Sequence, residues 1–543
     1  MTIDLSTLVF TSRADTVPTV GTDEIVNSGI AKTLDGSDSI TGYSFDSDGI
    51  LNSGTLDMGS GNDTLQGIAF GDGDGINNLS LLKTGAGHDT LRGIATGGGD
   101  GISIGSHIDT GAGNDIIEGT GKYGIYGYVG TLHTGWGNDT IIGNGYYGIL
   151  NDGGNDIDAG SGNDTITGHG EYIGIYNDGT IDTDSGDDTI TATASGDEYS
   201  DGSGIINGVL IDTGAGNDTI TATAGGDGIV NHWDIQMGDG DDRITGTSTH
   251  ASGIYNTDTI GTGNGNDRIT GNAGPASLAG SYGIYNSGTI NTGARSDTIT
   301  GTGGNNGILN LPSGTINTGT GNDTIVGMAS GSTGVSNTTG GTINTGTGND
   351  TITGTGNGGI DNFGTITTGA GQDKLVGTGD QLGLRNGLGR TGGTIDTGAG
   401  NDTITGTGGE YGIYSSGLLN TAVGDDIITG QGAVGIFNDG IIDMGDGNDI
   451  INARNGGFAG GGITLLGKGN DVIKGFGDGD FYGGAGQDKL ELTTGTYTVG
   501  ISGTTVSFTS GSVVMNTSEF EKLLVGGATL NFASLVNGQT IVV

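Results

Sequence analysis

The residues best placed to do chemistry are aspartates that close a glycine turn. A tract of the form Gly-x-Gly-Asn-Asp, with close variants, occurs 18 times; its clearest copies read TGAGNDTIT at 213–221 and 397–405, and TGTGNDTIT at 345–353. The glycines permit positive φ, so the backbone folds tightly and aims several carbonyl oxygens at one place. The aspartate adds a carboxylate. Oxygens of both kinds suit calcium, which takes six to eight of them at about 2.3–2.6 Å. One loop offers too few, whereas two loops stacked one turn apart offer enough. Calcium ligands are therefore expected at Asp63, Asp89, Asp115, Asp139, Asp164, Asp188, Asp218, Asp242, Asp267, Asp323, Asp350, Asp373, Asp402, Asp426, Asp449, Asp471 and Asp488. Asp297 is left out because GARSD, 293–297, lacks the second glycine; AVGDD, 422–426, and DSGDD, 184–188, lack the first and promise weaker sites. The residue before the aspartate is Asn, Asp, Gln, His or Ser and is expected to face solvent. The competing reading, aspartates bonded to amides of a neighbouring turn without metal, is disfavoured by the repulsion among so many stacked carboxylates.

These loops need a scaffold that repeats with them. From Asp63 to Asp488 the mean period is 25 residues, with a final step of 17. Two residues after every loop aspartate stands Ile or Leu, from Leu65 to Leu490. A second aliphatic row precedes the aspartate by seven, from Leu56 to Ile442, and a third follows a glycine in segments such as GIYN: Ile76, Ile102, Ile125, Ile149, Ile175, Ile254, Ile284 and Ile413. Three short strands per turn, each with one inward branched residue, predict an all-β parallel β-helix. Stacked at strand spacing, nineteen turns, counting a degenerate one at DGSDSI, 35–40, would make a rod about 90 Å long. Residues 1–34 are expected to cap its first turn, 35–490 to form the repeats, and 491–543, β-prone and low in charge, to form a C-terminal cap.

Composition agrees. Glycine contributes 125 of 543 residues and proline only 3, which without a period would indicate disorder. With 62 acidic against 16 basic residues the formal charge is −46, which excludes nucleic acid and anionic membrane as partners and favours cations. One calcium in each of the seventeen gaps between eighteen loops would bring that charge to −12. Cysteine is absent, so disulfides and thiolate metal sites are excluded. The N-terminus lacks the basic start and long apolar run of a signal peptide, and no stretch is long and apolar enough for a membrane span. The six histidines, His88, His107, His133, His169, His232 and His250, have no ligand or triad spacing. Arg243, Arg268 and Arg295 lie near the loops and could bridge carboxylates, and tyrosines 126, 176, 255, 285 and 414 recur beside the third row, facing outward if the strand alternates.

The loop resembles the repeats-in-toxin (hemolysin-type) nonapeptide GGxGxDxUx, best matched by GGAGQDKLE at 483–491 and LGKGNDVIK at 466–474. The resemblance covers about 35–490 and implies calcium held by the aspartates with glycine carbonyls. The arrangement departs from that family, whose nonapeptides run in tandem, 18 residues to the turn. Here a single motif alternates with a GIYN-type segment, so calcium is expected mainly along one edge. By resemblance the chain is close to oscillin-like and surface-layer glycine-rich repeat proteins. That implies a secreted, non-enzymatic structural or adhesive protein, exported by a type I machine that reads an uncleaved C-terminal segment. It would fold on meeting calcium outside the cell and self-associate into filaments, a layer or a sheath, with surface polysaccharide a further partner. Met1 and the N-terminal cap suggest a complete chain. The alternatives are a calcium-dependent β-helical polysaccharide lyase or epimerase, or the secretion and folding module of a larger exoprotein.

Overall fold

The computed structural model describes residues 2–17, 23–196, 202–275, 280–389 and 392–543. The chain forms two compact units, Met1–Gly274 and Pro275–Val543. Each is a parallel β-helix that carries nine of the eighteen loops.

One turn shows the construction. A short strand, Thr55–Asp57, leads into the glycine loop; a six-residue strand, Thr64–Ala69, leaves it; a corner follows, and a third strand, Ile76–Asn78, closes the circuit. The strand after the loop alternates half-buried and buried residues, so that Leu65, Gly67 and Ala69 point inward. The three aliphatic rows of the sequence are three internal columns in exact parallel register. Leu65 pairs with Leu91, Leu91 with Ile117 and Ile117 with Ile141; Leu56 pairs with Leu82 and Ile76 with Ile102. The second unit repeats this with Ile325, Ile352 and Leu375 in one column and Val335, Ile360 and Leu384 in another. Nearly all of these side chains are fully buried. Branched aliphatic residues stacked on one another make up the buried interior and fix the register, because a slip of one residue would turn every column outward.

A fourth column is polar. Asn52, Asn78, Asn151, Asn177, Asn207, Asn231 and Asn256 in the first unit, and Asn286, Asn310, Asn337, Asn362 and Asn386 in the second, end the GIYN-type strands and are all fully buried. Within the runs Asn151 to Asn256 and Asn286 to Asn386 each carboxamide nitrogen donates to the next carboxamide oxygen, Asn177 to Asn207 at 2.8 Å, Asn207 to Asn231 at 2.9 Å and Asn310 to Asn337 at 2.8 Å, whereas Asn78 and Asn386, followed in register by Ile104 and Ser415, donate to the His107 and Leu418 carbonyls. It donates as well to main-chain carbonyls of the corner, as Asn310 does to Gly314 and Thr342. An amide that bonds to its own copy satisfies its donors and acceptor in every turn, so the column can be buried.

Parallel stacking begins within the N-terminal segment, where Glu24–Asn27 and Ile30–Lys32 pair with the turn that follows. The C-terminal segment changes style. Thr496–Ser502, Thr505–Ser510 and Val513–Ser518 pair antiparallel, while Gly479–Tyr482 and Lys489–Glu491 pair in parallel with strands of this segment, Leu490 lying beside Leu523. Tyr126, Tyr176 and Tyr414 are half-buried on the outward positions of their strands.

Candidate functional site

The glycine loops stack directly on one another. Gly85 and Gly87 hold φ of 102° and 147°, and a Cβ on Gly87 would lie 1.6 Å from the Gly61 carbonyl oxygen, so the close approach of the turns as well as the dihedral demands glycine there. The residue between the glycines pairs turn to turn: the Ala86 amide donates to the Gly59 carbonyl at 3.1 Å and the Gly61 amide to the Ala86 carbonyl at 2.8 Å. Copies that lack a glycine keep the same backbone, since Asp184, Arg295 and Ala422 take φ of 57°, 85° and 63° in its place.

Every loop aspartate named above occupies one register position, at most 2% exposed, and Asp297 joins them on equal terms. The aspartate amide donates to the Oδ1 of the aspartate one turn on, over 2.7–2.9 Å, from Asp38 through to Asp267 in the first unit and from Asp297 through to Asp488 in the second. The terminal segments finish both runs: the Asp15 amide donates to Asp38 Oδ1 at 2.7 Å, and the Asp488 amide to Glu521 Oε2 at 2.7 Å. Amide bonding of the kind set against metal in the sequence analysis is thus present, but it occupies only one carboxylate oxygen.

The other oxygen is the site. Oδ2 of Asp63, Asp89, Asp115, Asp139, Asp164, Asp188, Asp218 and Asp242, and of Asp323, Asp350, Asp373, Asp402, Asp426, Asp449, Asp471 and Asp488, is buried with no hydrogen-bond partner. Asp267 differs, its Oδ2 accepting the Thr262 hydroxyl at 2.6 Å. Burial pushes these carboxyls up, and neighbouring aspartates add to the effect at Asp63, raised to about 7, and at Asp164 and Asp242, raised to about 8. The residue five positions before the aspartate modulates this. Where it is threonine, as at Thr183, Thr318, Thr368 and Thr397, its hydroxyl lies near enough to offset part of the burial without completing a hydrogen bond to Oδ2, and Asp188, Asp323, Asp373 and Asp402 rise only to about 6. Where it is Met58, Ala159, Met237, Met444 or Leu466, the aspartate reaches about 7 or 8. Asp115, at about 7 despite Thr110, is the exception.

The oxygens near this row suit a hard cation. The second-glycine carbonyls of Gly61, Gly87, Gly113 and Gly137 accept none of the main-chain bonds between turns, and Gly61 points its oxygen along the stack at the next glycine. Among the described residues no three His, Cys, Asp or Glu side chains converge on one point, so a cation here would depend on main-chain oxygens as well as on the row. With one oxygen left over on each of these sixteen carboxylates and second-glycine carbonyls beside them, the donor set fits calcium.

The residue before the aspartate is exposed, as expected, and carries a second ladder. The His88 amide donates to Asn62 Oδ1 at 3.0 Å, the Asn114 amide to His88 Nδ1 at 2.7 Å, and the Asn349 amide to Asn322 Oδ1 at 2.8 Å. This ladder points back along the chain, whereas the aspartate ladder points forward. The need for a short side-chain acceptor explains why Asn, Asp, Ser and His interchange here; the Asn322 amide donates to the Ser296 hydroxyl. Asp38, set aside in a degenerate turn, is a full member of the inner row, and its signal was the isoleucine two residues on. A second acidic column, Asp48, Asp74 and Asp100, caps amides at the opposite corner, with Asp74 raised to about 6 by burial. Of the histidines, His133 pairs with Asp158 at 2.9 Å, and Arg243 and Arg268 are exposed neighbours in register.

No protein-family model matches the chain, and no curated protein matches it. Among solved structures it is similar to a hyperactive, Ca2+-dependent, β-helical antifreeze protein from an Antarctic bacterium, at 14% identity and a TM-score of 0.23, over 98% of this chain and 95% of that one. Among the described residues no helix is long and apolar enough to cross a membrane.

Proposed function

We propose that the chain is a secreted, calcium-binding structural or adhesive protein of the cell surface, without enzymatic activity, whose folding is driven by calcium. The observation that carries this reading is the row of buried aspartates whose Oδ2 atoms have no partner. The row oxygens and the second-glycine carbonyls of adjoining loops would hold the cations, in the eight gaps between the nine loops of each unit. Bound calcium would neutralise the buried carboxylates and supply the partner that Oδ2 lacks. The chain's own part is positional: Oδ1 ties each loop to the preceding amide, and the glycine backbone keeps the carbonyls clear of main-chain bonding.

At the low free calcium of a cell interior, a chain of charge −46 with ionised loops resists compaction and stays fit for export; millimolar calcium outside completes the loops. Extracellular modules bind calcium with dissociation constants of about 10⁻⁴–10⁻³ M, which suffices. Repeats that fill most of the chain support a scaffold that lines up end to end or side by side into filaments or sheets. The test is circular dichroism with electron microscopy during titration from chelator into millimolar calcium, with bound calcium counted by calorimetry. Cooperative gain of β-structure with several calcium ions per chain, followed by filaments or sheets, is expected. Full β-structure in chelator at pH 8 overturns the folding reading, and dispersed monomers at saturating calcium overturn the assembly reading.

A further inference from the structure

The second unit carries a groove of about 370 Å³ that owes nothing to the aspartate row. It lies on outward positions of the GIYN-type strands, where register places Asp361 beside Arg385 and Arg385 beside Tyr414 on successive turns, with Leu382 beside Tyr411 in the parallel column. Asp361 is only 6% exposed; its Oδ2 receives the Arg385 guanidinium and, at 3.0 Å, the Thr333 hydroxyl. Its Oδ1 and the Arg385 Nε are both buried and have no hydrogen-bond partner. Arg385 also lies over the Phe363 ring, 5.0 Å from its centroid, which holds the guanidinium in place.

The far wall is aromatic and braced. Tyr414 stacks on Phe437 with centroids 4.7 Å apart and planes 5° from parallel, and Tyr411 stands edge-on to both. Gln381 and Glu410 are exposed at the rim. A preformed cleft of this size, with an aromatic wall and a few converging polar groups, has the anatomy of a small-molecule site.

We propose that this groove binds a neutral glycan chain, stacking a sugar ring against Tyr411 and Tyr414 and giving hydroxyls to Asp361 and Arg385. Sugar hydroxyls donate and accept at once, which answers the acceptor at Oδ1 and the donor at Nε together. Rungs about 4.8 Å apart put Asp361 and Tyr414 two steps from each other, the reach of a disaccharide. An acidic glycan fits badly, because the Arg385 charge is taken up by Asp361, Glu410 stands at the rim, and the chain as a whole is strongly negative. A peptide strand fits badly as well, since the strands beneath are already paired on both sides and leave no edge to extend.

The experiment is isothermal titration of the full chain in saturating calcium, its β-structure verified by circular dichroism in the same buffer. The probes are cellohexaose, maltohexaose and xylohexaose, with trigalacturonate as the acidic comparison. Saturable binding of at least one neutral hexasaccharide is expected, weakened at least tenfold in Tyr414→Ala and held within twofold in Tyr414→Phe. The inference is overturned if no neutral probe binds at millimolar concentration, if trigalacturonate binds more tightly than all three, or if a folded Tyr414→Ala binds as the parent does. Folding is read separately, so the outcome does not depend on whether calcium drives it.

Discussion

Replacing Asn310 by alanine isolates the energetic role of the buried amide column. Its carboxamide donates to Asn337 at 2.8 Å, Gly314 at 3.0 Å and Thr342 at 3.1 Å, and accepts from Asn286 at 2.8 Å. Gly314 keeps its bond from the Thr342 amide, so its loss is mild. The neighbouring amides are unequal: Asn286 keeps the Gly288 and Thr315 carbonyls as acceptors, but Asn337 Oδ1 loses its donor from Asn310 in a place water does not reach. One such buried group at 1–3 kcal/mol, with ordinary bonds worth about 1 kcal/mol beside it, gives a loss of about 3 kcal/mol. The comparison is Asn322→Ala, which removes a bond of the same length, 2.8 Å from the Asn349 amide, in the exposed outer ladder. Water replaces that acceptor, and the expected loss is about 0.5 kcal/mol. Urea unfolding followed by circular dichroism measures both, with hydrogen exchange over 284–362 to catch local opening in a repeat structure. Equal losses in the two variants, or a loss below about 1 kcal/mol for Asn310→Ala, would refute the claim that burial sets the worth of the ladder.

Ala422 holds φ of 63° where other loops place glycine, so Ala422→Gly is expected to raise stability by about 1 kcal/mol, read as a rise in urea midpoint. Gly348→Ala works the other way: its Cβ would stand 1.3 Å from the Gly321 carbonyl oxygen, and a loss of more than about 3 kcal/mol is expected from the same measurement. In chelator, thermal stability should increase as pH falls. Burial makes the row carboxyls from Asp63 to Asp267 and from Asp323 to Asp488 bind protons more tightly folded than unfolded, Asp373 standing at about 6 and Asp164 and Asp242 at about 8 against an ordinary 3.8, so stability is present at low pH and lost as pH rises from about 4 to 8. Melting curves in EDTA that are flat or inverted across that window would contradict the burial of ionised carboxylates. Asp242→Asn keeps an oxygen for the Asp218 amide and removes one of the most strongly raised carboxyls, so it should stabilise the chelated protein at pH 6, below the value of about 8 for Asp242, by on the order of 2 kcal/mol while lowering the calcium count by calorimetry.

The fold was readable because its evidence is repetition. An isoleucine or leucine two residues after an aspartate means little once, but eighteen times it can only be a column, and the pairing of Leu65 with Leu91 follows from it. The loop aspartates were readable for the same reason, Asp297 and Asp38 being passed over because local glycine spelling was weighed above register. The asparagine column repeats just as plainly in GIYN, yet Asn in a glycine-rich segment reads as a turn former, and only stacking reveals that each amide meets its own copy. Of the groove only Tyr414 was legible, as one of the outward tyrosines beside the third row that could stack sugars or simply cover the surface; Asp361 and Arg385 were not, because the three are 24 and 29 positions apart, in turns of unequal length, and no local pattern ties them together.

The two opposed ladders make every turn interchangeable with its neighbours, since each offers the next the same acceptor and asks of it the same donor. Excision of the 27 residues 324–350 would join Asp323 to Thr351 and bring its amide to Asp373 Oδ1, the atom that Asp350 now uses. The near-identical stretches at 318–326 and 345–353 leave the loop sequence on either side of such an excision unchanged, so the number of turns is free to vary without disturbing the bonding of the row. Whole turns can be gained or lost within either unit, with Asp15 still finishing the row of the first and Glu521 that of the second.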